Sequence, residues 1–593
     1  IWTKGDAASA IARAPLVTEG SFEVGGQEHF YLEGQVAFAL PGEDGGVSIV
    51  SSTQHPTEIQ HKVAHALHLP MSAVRVETRR MGGGFGGKES QGNALAIACA
   101  MAARATGRAC KMRYDRDDDM MITGKRHDLR IAYRVGHDAE GRILGVEFTH
   151  LFRCGWSQDL SLPVADRAML HADNCYHLSE VRIESHRLRT NTQSATAFRG
   201  FGGPQGMMAI ETIIGEIARH LHQDALDVRI RNLYGGPGRD ETHYGMRVED
   251  APIDEILADL EKRAEYRRRR QEITALNQSA SRFKRGRAIT PVKFGISFTA
   301  TQFNQAGALV HVYTDGSVLV NHGGTEMGQG LHTKVCQVVA QTLGVSPSRV
   351  SISASDTSKI PNASATAASS GTDLNAMAAH LAALEIRHRL AALYAELHHG
   401  KAEDIMFSAD SVQDGSGRGP NMAFDELVRK AYSARVQLWS DGFYKTPKIH
   451  YDRQTLSGRP FFYFSLGAAC SEVEIDTLTG EYVVRRVDIL HDVGNSINPA
   501  IDIGQIEGGF IQGMGWLTTE ELVWNAQGRL TTHAPSTYKI PAAGDTPHSF
   551  TVWFWPRPNA EQTIHRSKAV GEPPLMLAIS VWEAIRDAIG QTG

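Results

Sequence analysis

The chain has 593 residues, 42% of them hydrophobic and 21% charged, an ordinary composition for a folded protein that argues against long disorder. At about 150 residues per domain this is roughly four domain equivalents. Lysine plus arginine is 61 against 66 acidic residues, a formal net charge of −5, which argues against a broad nucleic-acid or anionic-membrane surface. The cysteines at 99, 110, 154, 175, 336 and 470 show no CxxC or iron–sulfur spacing and read as buried reduced thiols of a cytoplasmic protein. No run of about 18 apolar residues predicts a transmembrane helix.

In chain order, residues 63–76 (VAHALHLPMSAVRV) predict a helix, a short turn and the alternating strand Val74 to Thr78. Ala94 to Ala105 predicts an alanine-rich helix deep in a core. His127 reads as part of a solvated turn, and Val181 to Ser185 as a second half-buried strand. From Asp254 to Asn277 the chain turns charged and helical, with the arginine run 267–270 on a solvated face, and Ser279 to Gly286 reads as a linker. Residues 339–352 (VAQTLGVSPSRVSI) repeat 63–76 at an offset of 276, and each copy follows a loop glutamine, Gln54 or Gln329. Such a duplication makes two related domains that could hold one ligand between them. His398 and His399 before Gly400 mark a helix C-terminus, and the 26 histidines form no H-E-x-x-H metal set.

Glycine is the unusual residue: 58 of them, clustered in short loops. Met81-Gly-Gly-Gly-Phe-Gly-Gly-Lys-Glu89 follows a strand and opens a helix, so its N–H groups can face an anion. It nearly matches two nucleotide motifs and fails both. Glu89 stands where a phosphate loop needs Ser or Thr, and Thr106 to Arg113 holds no acidic residue for a dinucleotide ribose. Four further loops share its character: Phe198 to Pro204, Gly323 to Gly330, Ala367 to Asp373 and Gly504 to Gly509. Together the five suggest a large flat or phosphorylated ligand embraced by backbone. Glu572, in the rigid Gly-Glu-Pro-Pro turn of Lys568 to Pro574, is restrained as a positioned general base must be.

With these loops assembled, the sequence resembles the molybdenum-binding subunit of the molybdenum hydroxylase (xanthine dehydrogenase) family. The match runs through GGQEHFYLE, MGGGFGGKE, TAFRGFGGPQG, HGGTEMGQGLHTK and SKAVGEPPL in the family's order. The stretch before GGQEHFYLE is short, so the family's preceding domain is expected to be mostly absent. The resemblance implies an α+β fold of two elongated, related molybdopterin-binding domains, residues 1–285 and 286–593, with the cofactor at their interface. That cofactor would carry molybdenum with oxo, sulfido and hydroxide ligands. Gln54, Phe85, Arg199 and Ala368 match positions around the metal, none of them as a side-chain ligand. Gly84, Met327, Gly328, Gln329, Ala367, Ser369 and Gln505 match contacts to the pterin and phosphate. By the same resemblance Glu572 is the catalytic base, taking the proton of the metal-bound hydroxide as hydride passes to the sulfido ligand. Phe201 and Phe298 match two aromatics that hold a flat purine, and Thr299 a substrate hydrogen-bonding position. Glu89 and Arg167 match the purine-recognising pair.

Aldehyde oxidases generally lack that pair, and carbon monoxide dehydrogenases carry a cysteine where Arg199 to Gly202 stands. The resemblance therefore implies hydroxylation of hypoxanthine to xanthine and urate with water as oxygen source. The alternative is the same machinery acting on aldehydes or other N-heterocycles. The chain has no cysteine spacing for iron–sulfur clusters and no flavin motif, so a partner bearing [2Fe–2S] and FAD is implied, in a dimer of heterodimers.

Overall fold

The computed structural model describes residues 1–591 apart from 237, 280 and 418. Two units of the same topology occur in it. In the first, the hairpin Val36–Pro41 and Val47–Ser51 leads into the helix Pro56–Ala66 and a 3-10 turn, Met71–Ala73. The strand Val74–Thr78 then returns parallel to Val47–Ser51, and after the glycine loop the helix Asn93–Thr106 leads to Cys110–Arg113, antiparallel to Val36–Pro41. The second unit repeats the pattern with the hairpin Gln305–Val312 and Val318–His322, the helix Leu331–Leu343 and the 3-10 turn Pro347–Arg349. Its strand Val350–Ile352 runs parallel to Val318–His322; the helix Gly371–His398 follows, and Trp439–Lys445 closes antiparallel on Gln305–Val312. Val74 and Val350 both begin a strand, so the offset of 276 seen in the sequence is a structural one.

Alternation explains each small sheet. Val47, Ile49, Val74 and Val76 turn inward onto Leu95, Ala96, Ala100 and Ala103 of the alanine-rich helix, forming a core of their own. Each buried valine or isoleucine contributes about 1.5–3 kcal/mol, and the small alanines let the helix lie close to the strands. Ser355–Asp356 pairs antiparallel with Val74–Thr78, so the second unit reaches into the first unit's sheet. That pairing places the two sets of loops face to face.

Two larger sheets carry these units. One orders Trp2–Lys4, Val181–Arg189, Ile143–Gly155, Leu129–His137 and Leu16–Val24. The other orders Phe283–Ile296, Tyr463–Asp476, Tyr482–His491 and Ser549–Phe554. One continuous apolar core joins both, with the helices Gly203–His220 and Ile579–Ile589 packed into it. The molecule is thus α+β, as expected.

Three expectations need correction. Residues 283–286, read as linker, begin the long strand Phe283–Ile296; Ala280 lies outside the described residues. The charged segment is two helices, Ile253–Arg263 and Tyr266–Asn277. Its arginines do more than face solvent: Arg269 pairs with Glu472 at 2.6 Å and Arg270 with Asp587 at 3.0 Å, tying the helix to the sheet and to the last helix. His127 is buried rather than solvated, its Nε2 2.7 Å from Ser161 Oγ. Of the cysteines, 99, 154, 175 and 470 are buried and 110 and 336 half-buried, all unpaired. Among the described residues no helix is long and apolar enough to cross a membrane.

Candidate active site

A cavity of about 1040 Å³ opens where the loops of the two units meet. Gln54, in the loop between strand and helix of the first unit, stitches them together. Its Oε1 accepts from the N–H of Gly86 at 2.9 Å and of Lys88 at 3.3 Å, while its Nε2 donates to Thr366 O at 3.1 Å. Thr366 N–H returns a bond to Gln54 O at 2.9 Å, and Met81 N–H donates to Glu326 O at 2.8 Å. Gly86, at φ 99°, has its missing Cβ position only 2.8 Å from the Ala197 carbonyl, so no side chain fits at this junction of loops. Lys88, the lysine of the glycine loop, turns away from the cavity. Its Nζ donates to Ser52 Oγ at 2.8 Å, pairs with Glu33 at 3.4 Å and sits 4.7 Å from the Tyr31 ring centre; burial brings its pKa down to about 8.

Glu572 immediately precedes the short helix Pro573–Leu577 and lines the cavity. Gly200 N–H donates to its Oε1 at 3.0 Å and Ser369 Oγ–H to its Oε2 at 2.8 Å. Ser369 Oγ also accepts from Glu572 N–H at 2.8 Å. Arg199 supports the same turn, donating from Nε to Gly571 O at 2.5 Å and from Nη2 to Gln505 O at 3.2 Å. Burial lowers the Arg199 pKa to about 10, partly restored by the Glu572 charge.

Arg167 and Glu89 line the same cavity. The buried Arg167 guanidinium donates to Ser297 O at 2.9 Å and Gly295 O at 2.5 Å, lies over Phe294 and Phe461, and leaves Nε without a partner. Burial lowers its pKa and Glu572 partly opposes this. Glu89, half-buried at the wall, is pushed up to about 8 by desolvation first and then by the charges of Glu572 and Asp159. Phe201 (φ 50°) and Phe298 supply aromatic surface, with Thr299 beside the latter. Phe85, Ala367, Ala368, Ser369, Met327, Gly328, Gln329 and Gln505 also line the cavity, and Gly84 stands behind its wall against Gln54 and Met327.

Several neighbours were not singled out in the sequence. Asn304 pins Phe298 by accepting from its N–H at 2.8 Å and donating to its carbonyl at 2.9 Å, and Phe303 meets the Phe298 ring edge-on at 5.8 Å. Asp373 accepts from Tyr463 OH at 2.7 Å and is raised by burial to about 7. Lys334 pairs with Asp502, and Lys568 with Asp492. A position inside one of the small-residue loops was the sole advance signal for Asp373; the ion pairs join segments too distant in sequence to be matched by spacing.

The cavity suits a large, flat, backbone-held group. At Gly328, Gly504 and Gly508 nothing lies within 4 Å of where a Cβ would stand, so these walls leave space a side chain would fill. Among the described residues no group of three His, Cys, Asp or Glu side chains could hold a metal ion.

Two family models, each described as a molybdopterin cofactor-binding domain, match residues 1–233 and 259–547. The chain belongs to the molybdopterin cofactor-binding family. It is 44% identical over 587 residues to the xanthine dehydrogenase/oxidase of Felis catus, a match covering 99% of this chain and 42% of that one. It thus spans about two fifths of the length of the curated relatives it matches. Quinoline 2-oxidoreductase from Pseudomonas putida 86 shares the fold at a TM-score of 0.88 and 24% identity, over 99% of this chain and 75% of that one. The aldehyde oxidoreductase from Desulfovibrio gigas does so at 0.86 and 24%, over 99% and 61%. Proteins named for different substrates share this fold, so the substrate must be argued from the site.

Proposed function

We propose that this chain is the molybdenum-bearing part of a purine hydroxylase that converts hypoxanthine to xanthine and xanthine to urate, with water as the oxygen source. Electrons would leave to [2Fe–2S] and FAD centres on a partner subunit, in a dimer of heterodimers. The observation that carries the reading is the lining of one cavity by a clamped carboxylate, Glu572, a buried cation, Arg167, and a carboxyl whose pKa burial pushes up to about 8, Glu89. The 44% identity to xanthine dehydrogenases supports it.

Gln54, Gly328, Gln329, Gln505 and the loop Ala367 to Ser369 would hold molybdopterin. When bound, the molybdenum supplies the oxygen to be transferred and the place where the substrate's two electrons go. Glu572 accepts the proton released at the reacting oxygen. Gly200 N–H and Ser369 Oγ–H each hold one of its carboxylate oxygens, which fixes the direction in which it meets that proton. Glu89, with its pKa at about 8, carries a proton at neutral pH and can donate it to a ring nitrogen or carbonyl oxygen of a purine. Arg167 places positive charge where negative charge develops on that carbonyl, an effect of about 3–4 kcal/mol for a single preorganised donor. Phe298, fixed by Asn304 and Phe303, and Phe201 hold the flat ring.

The test is the molybdenum content of the natively purified complex, by elemental mass spectrometry per mole of chain, followed by a xanthine assay. About one molybdenum per chain with urate formation supports the proposal. No molybdenum, in cells that make the cofactor and with the partner present, refutes it; molybdenum with turnover of aldehydes but not purines moves the reading to the alternative substrates.

A further inference from the structure

Ser369 was expected only as a cofactor contact, yet its hydroxyl is bonded to Glu572 twice. It donates to Oε2 at 2.8 Å and accepts the Glu572 backbone N–H at 2.8 Å. The two bonds close a small ring that fixes both the backbone and the carboxylate of one residue. Gly200 N–H holds the other oxygen at 3.0 Å, so a loop from each half of the chain grips the carboxylate, one oxygen apiece. The hydroxyl gets there at a conformational cost. Ala368 and Ser369 are consecutive non-glycine residues in the left-handed region, at φ 54° and 55°. Gly571 makes the approach possible, since a Cβ there would stand 3.1 Å from Ser369 Oγ.

We infer that Ser369 is a positioning residue for the proton-accepting carboxylate, acting through Glu572 by this reciprocal pair of hydrogen bonds. The inference rests on the reading of Glu572 as the base. A carboxylate that must meet one reacting oxygen loses rate when it can rotate away, whereas substrate binding at Arg167, Glu89 and Phe298 is untouched. The loss therefore falls on kcat.

The experiment is a double-mutant cycle in the natively purified complex: wild type, Ser369→Ala, Glu572→Gln and the double variant, with every rate divided by the measured molybdenum content. Ser369→Ala should lower kcat on xanthine about ten-fold while KM stays within about two-fold, the scale of one charge-assisted hydrogen bond. It should cost nothing further in the Glu572→Gln background, because the group it positions is gone. Ser369→Gly, which frees the backbone at this φ but also removes the hydroxyl, should show the same loss. In a crystal structure of the Ser369→Ala holoenzyme the Glu572 carboxylate should no longer hold one orientation. A ten-fold loss persisting in the Glu572→Gln background, a fall in molybdenum parallel to the rate, or an unmoved carboxylate overturns the inference. Near-normal turnover of Glu572→Gln overturns the base itself, whereas full loss there with an unaffected Ser369→Ala overturns only the positioning.

Discussion

Replacing Glu572 with glutamine isolates the proton from the shape. The new amide can keep its Oε1 as the acceptor of the Gly200 N–H, and the turn stays anchored by Arg199 on Gly571 O. What changes is the other terminal atom. An NH₂ would face Ser369 Oγ, which already accepts from the backbone N–H of position 572 and would have to turn its own proton away. That rearrangement is worth about 1 kcal/mol, the net value of one ordinary hydrogen bond. Loss of the proton acceptor is larger: a positioned general base contributes about 10²–10⁴ in rate, or roughly 2.7–5.4 kcal/mol at 1.36 kcal/mol per decade. The chemical effect therefore exceeds the structural one several-fold, and the variant should fold, retain molybdenum and lose about 10²-fold or more of its turnover. Urate formation followed by absorbance, normalised to molybdenum, measures it. Full molybdenum with kcat within about ten-fold of wild type would refute the role of Glu572.

Arg167→Met should depress kcat/KM for xanthine about 10²–10³-fold and far less for a simple aldehyde, since only the purine places charge on a carbonyl oxygen beside it; equal losses would contradict the purine role. Phe298→Ala should chiefly raise the Michaelis constant, and an unchanged value would argue against an aromatic clamp. Purine turnover should fall as pH rises through about 8, where Glu89 gives up its proton and adds a negative charge near Glu572. Glu89→Gln should abolish that alkaline limb, and a limb that survives in the variant belongs to another group.

Local signals in the sequence determined much of this protein. Hydrophobic alternation marked Val74–Thr78 as a strand, alanine density marked Asn93–Thr106 as a core helix, and a gapless match of residues 63–76 to 339–352 revealed the duplicated unit. These are properties of neighbouring residues, so one sequence suffices to read them. The glycine loops and the Gly-Glu-Pro-Pro turn were legible for the same reason, because backbone freedom and rigidity are written in residue type.

Tertiary structure alone decided which loops meet and what each group touches there. The pairing of Ser355–Asp356 with Val74–Thr78 sets the two units' loops face to face, across almost half the chain. Lys88, beside five loop glycines, is drawn into a buried site with Glu33 and Ser52 rather than toward a ligand. His127 is polar in its sequence context yet buried against Ser161, and the arginine run finds carboxylates at 472 and 587. Glu89 and Glu572 are both glutamates. Their surroundings differ: one is desolvated beside like charges, while the other receives a donor on each oxygen from Gly200 and Ser369, 372 and 203 residues away in the chain. Distance in space, burial and partner geometry set those properties, and none of the three is a function of sequence separation.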